Sequence, residues 1–277
     1  MRYLCSKDNL ENSEIVILGV PFDGTSSFKP GSRFGPDSIR LHSDAIESYS
    51  PYFDKDIENI NFYDYGNLWN TISDFDKLSK DIEELVSALI VQNKKLISVG
   101  GEHLITFPLI KTIHKFYKDI VIIHVDAHAD LREDYLGNRF SHATVIRRVS
   151  DFIPASNIFQ FGIRSGTKEE FDFAKLETNF YPFTLNHPNG LAALSGKSVY
   201  LTIDIDVLDP SIVPGTGTPE PGGVTFKELL DFLMNLKGLN IVAADLVECS
   251  PDNDSTGVSS IAAAKIIREL LILLSRK

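Results

Sequence analysis

The chain has 277 residues, 43% of them hydrophobic, with 18 Gly, 13 Pro and a formal net charge of −11. This composition supplies a full core and excludes a disordered chain. No apolar run approaches the roughly 18 residues of a membrane span, and the acidic balance argues against a nucleic-acid partner while fitting a cationic substrate. Cys5 and Cys249 make no disulfide framework, and residues 1–14 are polar without a signal-peptide core. The expectation is a protein of the reducing cytoplasm with no membrane partner.

In chain order, apolar β-branched runs alternate with stretches of helical period. Residues 14–20 read as a strand, 37–48 as an amphipathic helix, and 61–64 as a weaker strand. Next come a helix at 74–93, a strand at 96–99, a helix at 106–117 and a strand at 120–125. Residues 142–149, 167–176, 225–236 and 258–274 are helical, and 158–162, 198–205 and 241–247 are strands. Alternation at this spacing predicts an α/β fold of βαβ units, three layers deep, with a mostly parallel central sheet. Residues 121–125 and 199–205 are nearly all apolar before acidic tips, as expected of central strands. No repeat or linker splits the chain, so one domain spanning residues 1–277 is expected.

Open parallel sheets bind ligands beyond the carboxyl ends of their strands. Gly100-Gly101-Glu102-His103 follows the strand at 96. Asp126-Ala127-His128-Ala129-Asp130 follows the strand at 120, Asp204 and Asp206 end the strand at 198, and Glu248 follows the strand at 241. In an extended chain, positions i and i+2 share a face, so Asp126, His128 and Asp130 converge, as do Asp204 and Asp206. Buried carboxylates are costly unless paired or bound to a cation. His103, Asp126, His128, Asp130, Asp204 and Asp206 therefore read as metal ligands. An oxygen-rich set suits a pair of hard ions such as Mn²⁺ better than structural zinc. Paired ions lower the pKa of a shared water, so the expected chemistry is hydrolysis. Glu248, outside the ligand set, suits a guanidinium fork, and His142 suits proton donation to a leaving amine.

These segments resemble the ureohydrolase family of arginases, agmatinases and relatives, and the likeness covers nearly the whole chain. Asp204-Ile205-Asp206-Val207-Leu208-Asp209-Pro210 and Gly217-Thr218-Pro219-Glu220-Pro221-Gly222-Gly223 carry it with the Asp-His-Asp block, completed by Glu248-Cys249-Ser250-Pro251. Pro21-Phe22-Asp23-Gly24-Thr25, Phe34-Gly35-Pro36 and Ser141-His142-Ala143 read most like the agmatinases. The resemblance implies the arginase/deacetylase-like fold and two Mn²⁺ ions per chain. One would be held by His103 and Asp130 and the other by His128 and Asp206, with Asp126 and Asp204 bridging. It implies guanidinium binding by Glu248, proton transfer by His142, and a hydrogen bond from the attacking hydroxide to Asp130. Agmatine plus water would give putrescine and urea, in a homo-oligomer, a trimer or hexamer. Thr167 stands where arginases place an amino-binding Asp, which speaks against arginine as substrate. Glu133, Asp134 or Glu220 are candidates to hold the distal ammonium of agmatine.

The alternatives are another guanidino substrate (4-guanidinobutyrate or arginine), a zinc amide deacetylase on a related sheet, or an inactive regulatory homologue. His124 shares strand parity with Asp126 but reads as a buried, satisfied neighbour rather than a ligand. His114 and His187 read as surface residues, and His42 as helix surface or site rim. Cys249 reads as simply buried, and the stretch from Asp209 to Gly223 as turn chemistry.

Overall fold

Ile15 and Ile17 pack into one hydrophobic cluster, while Val16, Leu18 and Val20 pack into another. Successive side chains of a strand point to opposite faces, so strand β1 (Ile15–Val20) is covered on both. The structure, a computed structural model, describes residues 1–68, 74–186, 191 and 194–275. After β1 come a short antiparallel pair, β2 (Tyr49–Ser50) and β3 (Lys55–Asp56), then β4 (Phe62–Asn67), β5 (Lys95–Gly100) and β6 (Val121–Val125). β7 (Ile158–Phe161), β8 (Asn179–Tyr181), β9 (Ser198–Asp204) and β10 (Asn240–Val247) complete the strands among the described residues. The main sheet runs β4-β1-β5-β10-β9-β6-β7-β8, and every pairing in it is parallel.

Among the described residues the helices are α1 (Gly35–Ser43), α2 (Phe75–Val91), α3 (Thr106–Ile113), α4 (Val145–Val149), α5 (Lys168–Glu177), α6 (Phe226–Asn235) and α7 (Val258–Leu274). Helices α1, α6 and α7 send Ile39, Phe232, Ile267 and their neighbours into the first cluster. Helices α2, α3 and α4 send Ile82, Ile110, Ile146 and theirs into the second. The expected three layers follow from this division. Each fully buried Ile or Leu contributes about 1.5–3 kcal/mol. Local signals start the helices: Asp74 caps α2, and Thr167–Glu170 and Thr225–Glu228 form capping boxes on α5 and α6.

The predicted helix at 37–48 stops at Ser43. Beyond it the backbone tightens into turns, with Ala45 N–H on the carbonyl of His42 at 3.1 Å and Ile46 N–H on that of Ser43 at 3.3 Å. The carbonyls of Glu47 and Tyr49 instead accept from the buried guanidinium of Arg268 on α7, at 2.9 and 3.0 Å. The β2–β3 pair follows, and α7 is buried on most of its surface rather than on one face. The predicted helix at 106–117 gives way to turns after Ile113, and His142–Thr144 is a 3₁₀ turn leading into α4. The edge strand β8, three residues long and half-buried, lacks the apolar run that marks its neighbours.

The strand order sets the site. β5, β10, β9 and β6 are consecutive neighbours in the middle of the sheet, and their carboxyl ends lead into His103, Glu248, Asp204 and Asp126. Residues far apart in the chain thus meet at one edge. Among the described residues, no helix is long and apolar enough to cross a membrane.

Candidate metal centre

Gly101 lets the chain leaving β5 pass beneath the loop that follows β1. A Cβ on it would fall 1.8 Å from the carbonyl oxygen of Phe22, closer than any side chain tolerates. Beyond it, His103 is buried, and its backbone N–H donates to Oε1 of Glu248 at 2.8 Å. Its Nε2 lies 2.8 Å from Oγ1 of Thr202, whose hydroxyl in turn acts on the buried carboxylate of Asp245. With the Thr202 hydrogen drawn to Asp245, Oγ1 accepts from Nε2–H, and the lone pair is on Nδ1. That Nδ1 faces oxygens of Asp126, Asp130 and Asp204 at 3.0, 3.2 and 3.4 Å. It makes no hydrogen bond to any described residue.

The Asp-His-Asp block converges, but not by strand parity. β6 ends at Val125, and Asp130 has φ 53°, a left-handed conformation that costs a non-glycine residue energy. That turn brings its carboxylate to His103. Asp204 and Asp206 also do not share an extended face. Asp204 ends β9, Asp206 lies in a 3₁₀ turn, and Oδ1 of Asp204 accepts from the backbone N–H of Asp206 at 2.8 Å. Oδ2 of Asp206 lies 3.0 Å from Nδ1 of His128 and makes no hydrogen bond among the described residues.

Asp126 sits between two groups of donor atoms. Those of His103, His124, Asp126 and Asp130 lie within 4.8 Å of one another, and so do those of Asp126, His128 and Asp206. His124 belongs to the first group by distance only. Its Nδ1 accepts from Nε2 of Gln160 at 3.1 Å, and its Nε2–H donates to Oδ2 of Asp126 at 2.8 Å. Both ring nitrogens are occupied, as expected of a supporting residue.

The electrostatics show a site short of positive charge. Burial, then the charges of Asp206 and Asp126, push Asp204 well above the ordinary carboxylate range. Burial, then Asp126, pushes Asp130 up to about 6. Burial alone would lower His103 and His128, but neighbouring carboxylates hold both well above the usual imidazole value. Each shift binds a proton where a cation would serve. The orphaned Nδ1 of His103 and Oδ2 of Asp206, with an oxygen-rich donor set, make this cluster suited to metal ions.

A cavity of about 190 Å³ opens over the cluster, lined by His103, His128, Asp130, Asp204, Glu248 and His142 and by several residues that the sequence reading left aside. Glu248 is also left-handed, at φ 65°. Since its Oε1 takes His103 N–H, its second oxygen is the one left uncommitted for a ligand. His142 donates its backbone N–H to Oγ1 of Thr25 at 3.0 Å, and its ring lies edge-on to Tyr135 at 5.7 Å. Burial lowers its pKa to about 4, an interaction of the ring with the Thr25 backbone opposes this, and the nearby His128 and His103 add to the lowering.

The candidates for the far end of the pocket are displaced. Glu133 forms ion pairs with Arg147 and Arg148 at 3.0 Å each. Asp134 accepts from Gly137 N–H at 3.2 Å, and the carbonyl of Glu220 receives Arg164. None of the three lines the cavity. Arg132 and Glu170 do, with Nε of Arg132 3.5 Å from Glu170 and its guanidinium over the Tyr135 ring. Thr167 caps α5 and does not line the cavity. Sequence reading also missed Thr25 and Ser27, which lie on the loop after β1, and Arg164, which ties the carbonyls of Asp206 and Glu220 together at 2.8 and 2.7 Å. The signal for Ser27 and Arg164 was their position after strand ends, and for Thr25 also its place in the 21–25 segment.

His42 bonds Ser38 on its own helix and does not line the cavity. His114 is half-buried against Phe152, and His187 lies outside the described residues. Burial pushes the Cys249 thiol up to about 12, so it is inert. Asp209 holds the turn by accepting from the N–H groups of Gly222 and Gly223.

The model of the Arginase family matches residues 13–273. The chain is 46% identical to the agmatinase of Bacillus anthracis over 98% of its own length and 95% of the relative's. It is 43% identical to the agmatinase of Bacillus subtilis with the same coverage. The crystal structure of the agmatine ureohydrolase of Thermoplasma volcanium superimposes with a TM-score of 0.89 at 33% identity, covering 99% of this chain and 94% of that one.

Proposed function

The chain belongs to the arginase family, and we propose that it hydrolyses agmatine to putrescine and urea, with two Mn²⁺ ions and residues 1–277 acting as one ureohydrolase domain. The observation that carries the substrate is the whole-length likeness to relatives named agmatinase at 43–46% identity. A small cationic guanidino compound also suits an acidic cavity.

His103 and Asp130 would hold one ion and His128 and Asp206 the other, with Asp126 and Asp204 shared. This reading is supported by the two oxygens of Asp126, which face different partners: Oδ2 lies 3.0 Å from Nδ1 of His103, and Oδ1 lies 3.6 Å from that of His128. When bound, the ions would supply a water acidic enough to attack at neutral pH. The chain supplies the rest. Glu248 holds the guanidinium by charge-assisted hydrogen bonds and orients its carbon. Asp130, beyond its ligand role, accepts a hydrogen bond from the attacking water. His142, neutral at physiological pH, takes a proton at its ring and passes it to the departing primary amine. A trimer or hexamer in the cytoplasm belongs to the same reading.

One observation favours a second substrate: Arg132 lines the cavity, and a cation there suits the distal carboxylate of 4-guanidinobutyrate. The nearby Glu170 offsets it. The test is metal analysis with product analysis. Two Mn²⁺ per chain, with urea and putrescine formed in equal amounts from agmatine, support the proposal. One Zn²⁺ and amide hydrolysis, or no metal and no turnover, would refute it.

A further inference from the structure

Three motif segments have no role in the mechanism above beyond His103 and His142: 21–25, 100–103 and 141–143. They meet at one hydroxyl. Oγ1 of Thr25 lies 2.6 Å from Oε1 of the buried Glu102, while the backbone N–H of Thr25 donates to Oε2 at 2.8 Å. The Ser26 hydroxyl adds a weaker donor to Oε2 at 3.4 Å. Oγ1 carries one hydrogen, and its shortest contact is to this carboxylate, so the hydrogen points there. Both lone pairs of Oγ1 then face His142. One accepts the backbone N–H at 3.0 Å, and the other lies 3.3 Å from Nδ1. A lone pair facing Nδ1 requires the hydrogen to be on Nδ1. Ser141 Oγ, 3.2 Å from the same nitrogen, accepts it equally well. Nε2 is left as the acceptor, with the Ser27 hydroxyl 3.2 Å away to donate to it.

We propose that Thr25, held by Glu102, is a positioning residue that fixes the orientation and tautomer of the His142 imidazole, keeping hydrogen on Nδ1 and the proton-carrying lone pair on Nε2. The inference rests on the role of His142 in the proposed reaction. In that role Nε2 takes a proton and yields it to the leaving amine, while the Nδ1–H bond to Thr25 stays intact and stabilises the transient imidazolium. The clamp also explains why the loop after β1 crosses the end of β5. Glu102 N–H donates to Phe22 O at 2.7 Å, so backbone and side chain of Glu102 both grip the same loop.

The test is a double-mutant cycle on the metal-loaded enzyme with agmatine. Thr25→Val keeps the shape and removes the hydroxyl. It is expected to lower kcat by about 10- to 100-fold, with KM changed less than about 3-fold and with metal content and Tm retained. Thr25→Ser should restore kcat to within about 3-fold. In a His142→Asn background, Thr25→Val should add less than about 3-fold, because residues acting as a unit are not additive. Thr25→Ala, which lets water reach Glu102, replaces the valine variant if that one does not fold. An undiminished effect in the His142→Asn background, or no rescue by serine, would make Thr25 merely structural and overturn the inference. If His142→Asn lowers kcat but Thr25→Val does not, the inference falls alone. If His142→Asn leaves kcat unchanged, the role of His142 falls and the inference falls with it.

Discussion

Nδ1 of His103 stands 3.0 Å from Oδ2 of Asp126 without an aligned hydrogen bond, while its Nε2 faces Oγ1 of Thr202 at 2.8 Å. Two electron-rich atoms so close in a buried site require a positive charge between them or a proton on one. Asp126 faces the His103 and His128 sides together, so its charge is one that both sides share.

Asp126→Asn should therefore lose most bound metal and activity together. A neutral amide cannot hold two cations as a carboxylate does. Metal content after dialysis, read beside kcat, checks this. Full metal occupancy with normal turnover would remove Asp126 from the centre.

His142→Asn should keep its metal and lower kcat by about 10²–10⁴-fold if the ring carries the proton. Asn retains the backbone N–H to Thr25, so folding should change little. An unchanged kcat where chemistry limits the rate would exclude the ring from the reaction.

The same residue predicts a pH effect on stability. His142 is held at about 4 against an ordinary value of 6.5. Between those values the unfolded chain binds more proton at this position than the folded one, so stability falls as pH drops through that window. Above 6.5 the contribution is absent, and below about 4 it is complete. Metal-free protein unfolded in denaturant at about pH 7 and about pH 5 should lose more stability as wild type than as His142→Asn. Equal losses would contradict the burial of a neutral ring.

Gly101→Ala should destabilise the chain by about 1–3 kcal/mol, because its Cβ would strike the Phe22 carbonyl and push the 21–25 loop from the strand end. Thermal unfolding measures the cost, and kcat should fall with it, since that loop holds His142 through Thr25. An unshifted Tm would mean that the loop is free to move.

Strand alternation made the layers and the site edge legible, because apolar runs ending in acidic tips mark buried strands with ligands beyond them. All the candidate ligands lie together, yet the reason differs from parity. Asp130 arrives through a left-handed residue and Asp206 through a 3₁₀ turn, and local backbone turns of this kind leave no periodic signal. The early end of α1 was not readable locally, because the residue that holds the carbonyl of Glu47 beyond it is Arg268, 221 residues away. Glu133 and Asp134 failed as pocket acids because their charges are met elsewhere, by Arg147 and Arg148 and by a turn N–H. Thr25 stayed hidden because its importance lies in a contact with His142, 117 residues on.

Substrate choice tests the central claim most directly. Among the described residues, Arg132 is the one Arg or Lys lining the cavity, and Glu170 and Tyr135 already attend it. An arginine α-carboxylate would enter without an uncommitted cation to meet it, and unmet polar groups can cost several powers of ten in specificity. Urea release by Mn²⁺-loaded protein should be measured with agmatine, 4-guanidinobutyrate and arginine side by side. The account predicts that kcat/KM for agmatine exceeds that for arginine by at least about 10²-fold and also exceeds that for 4-guanidinobutyrate. Equal or faster turnover of either competitor would contradict it.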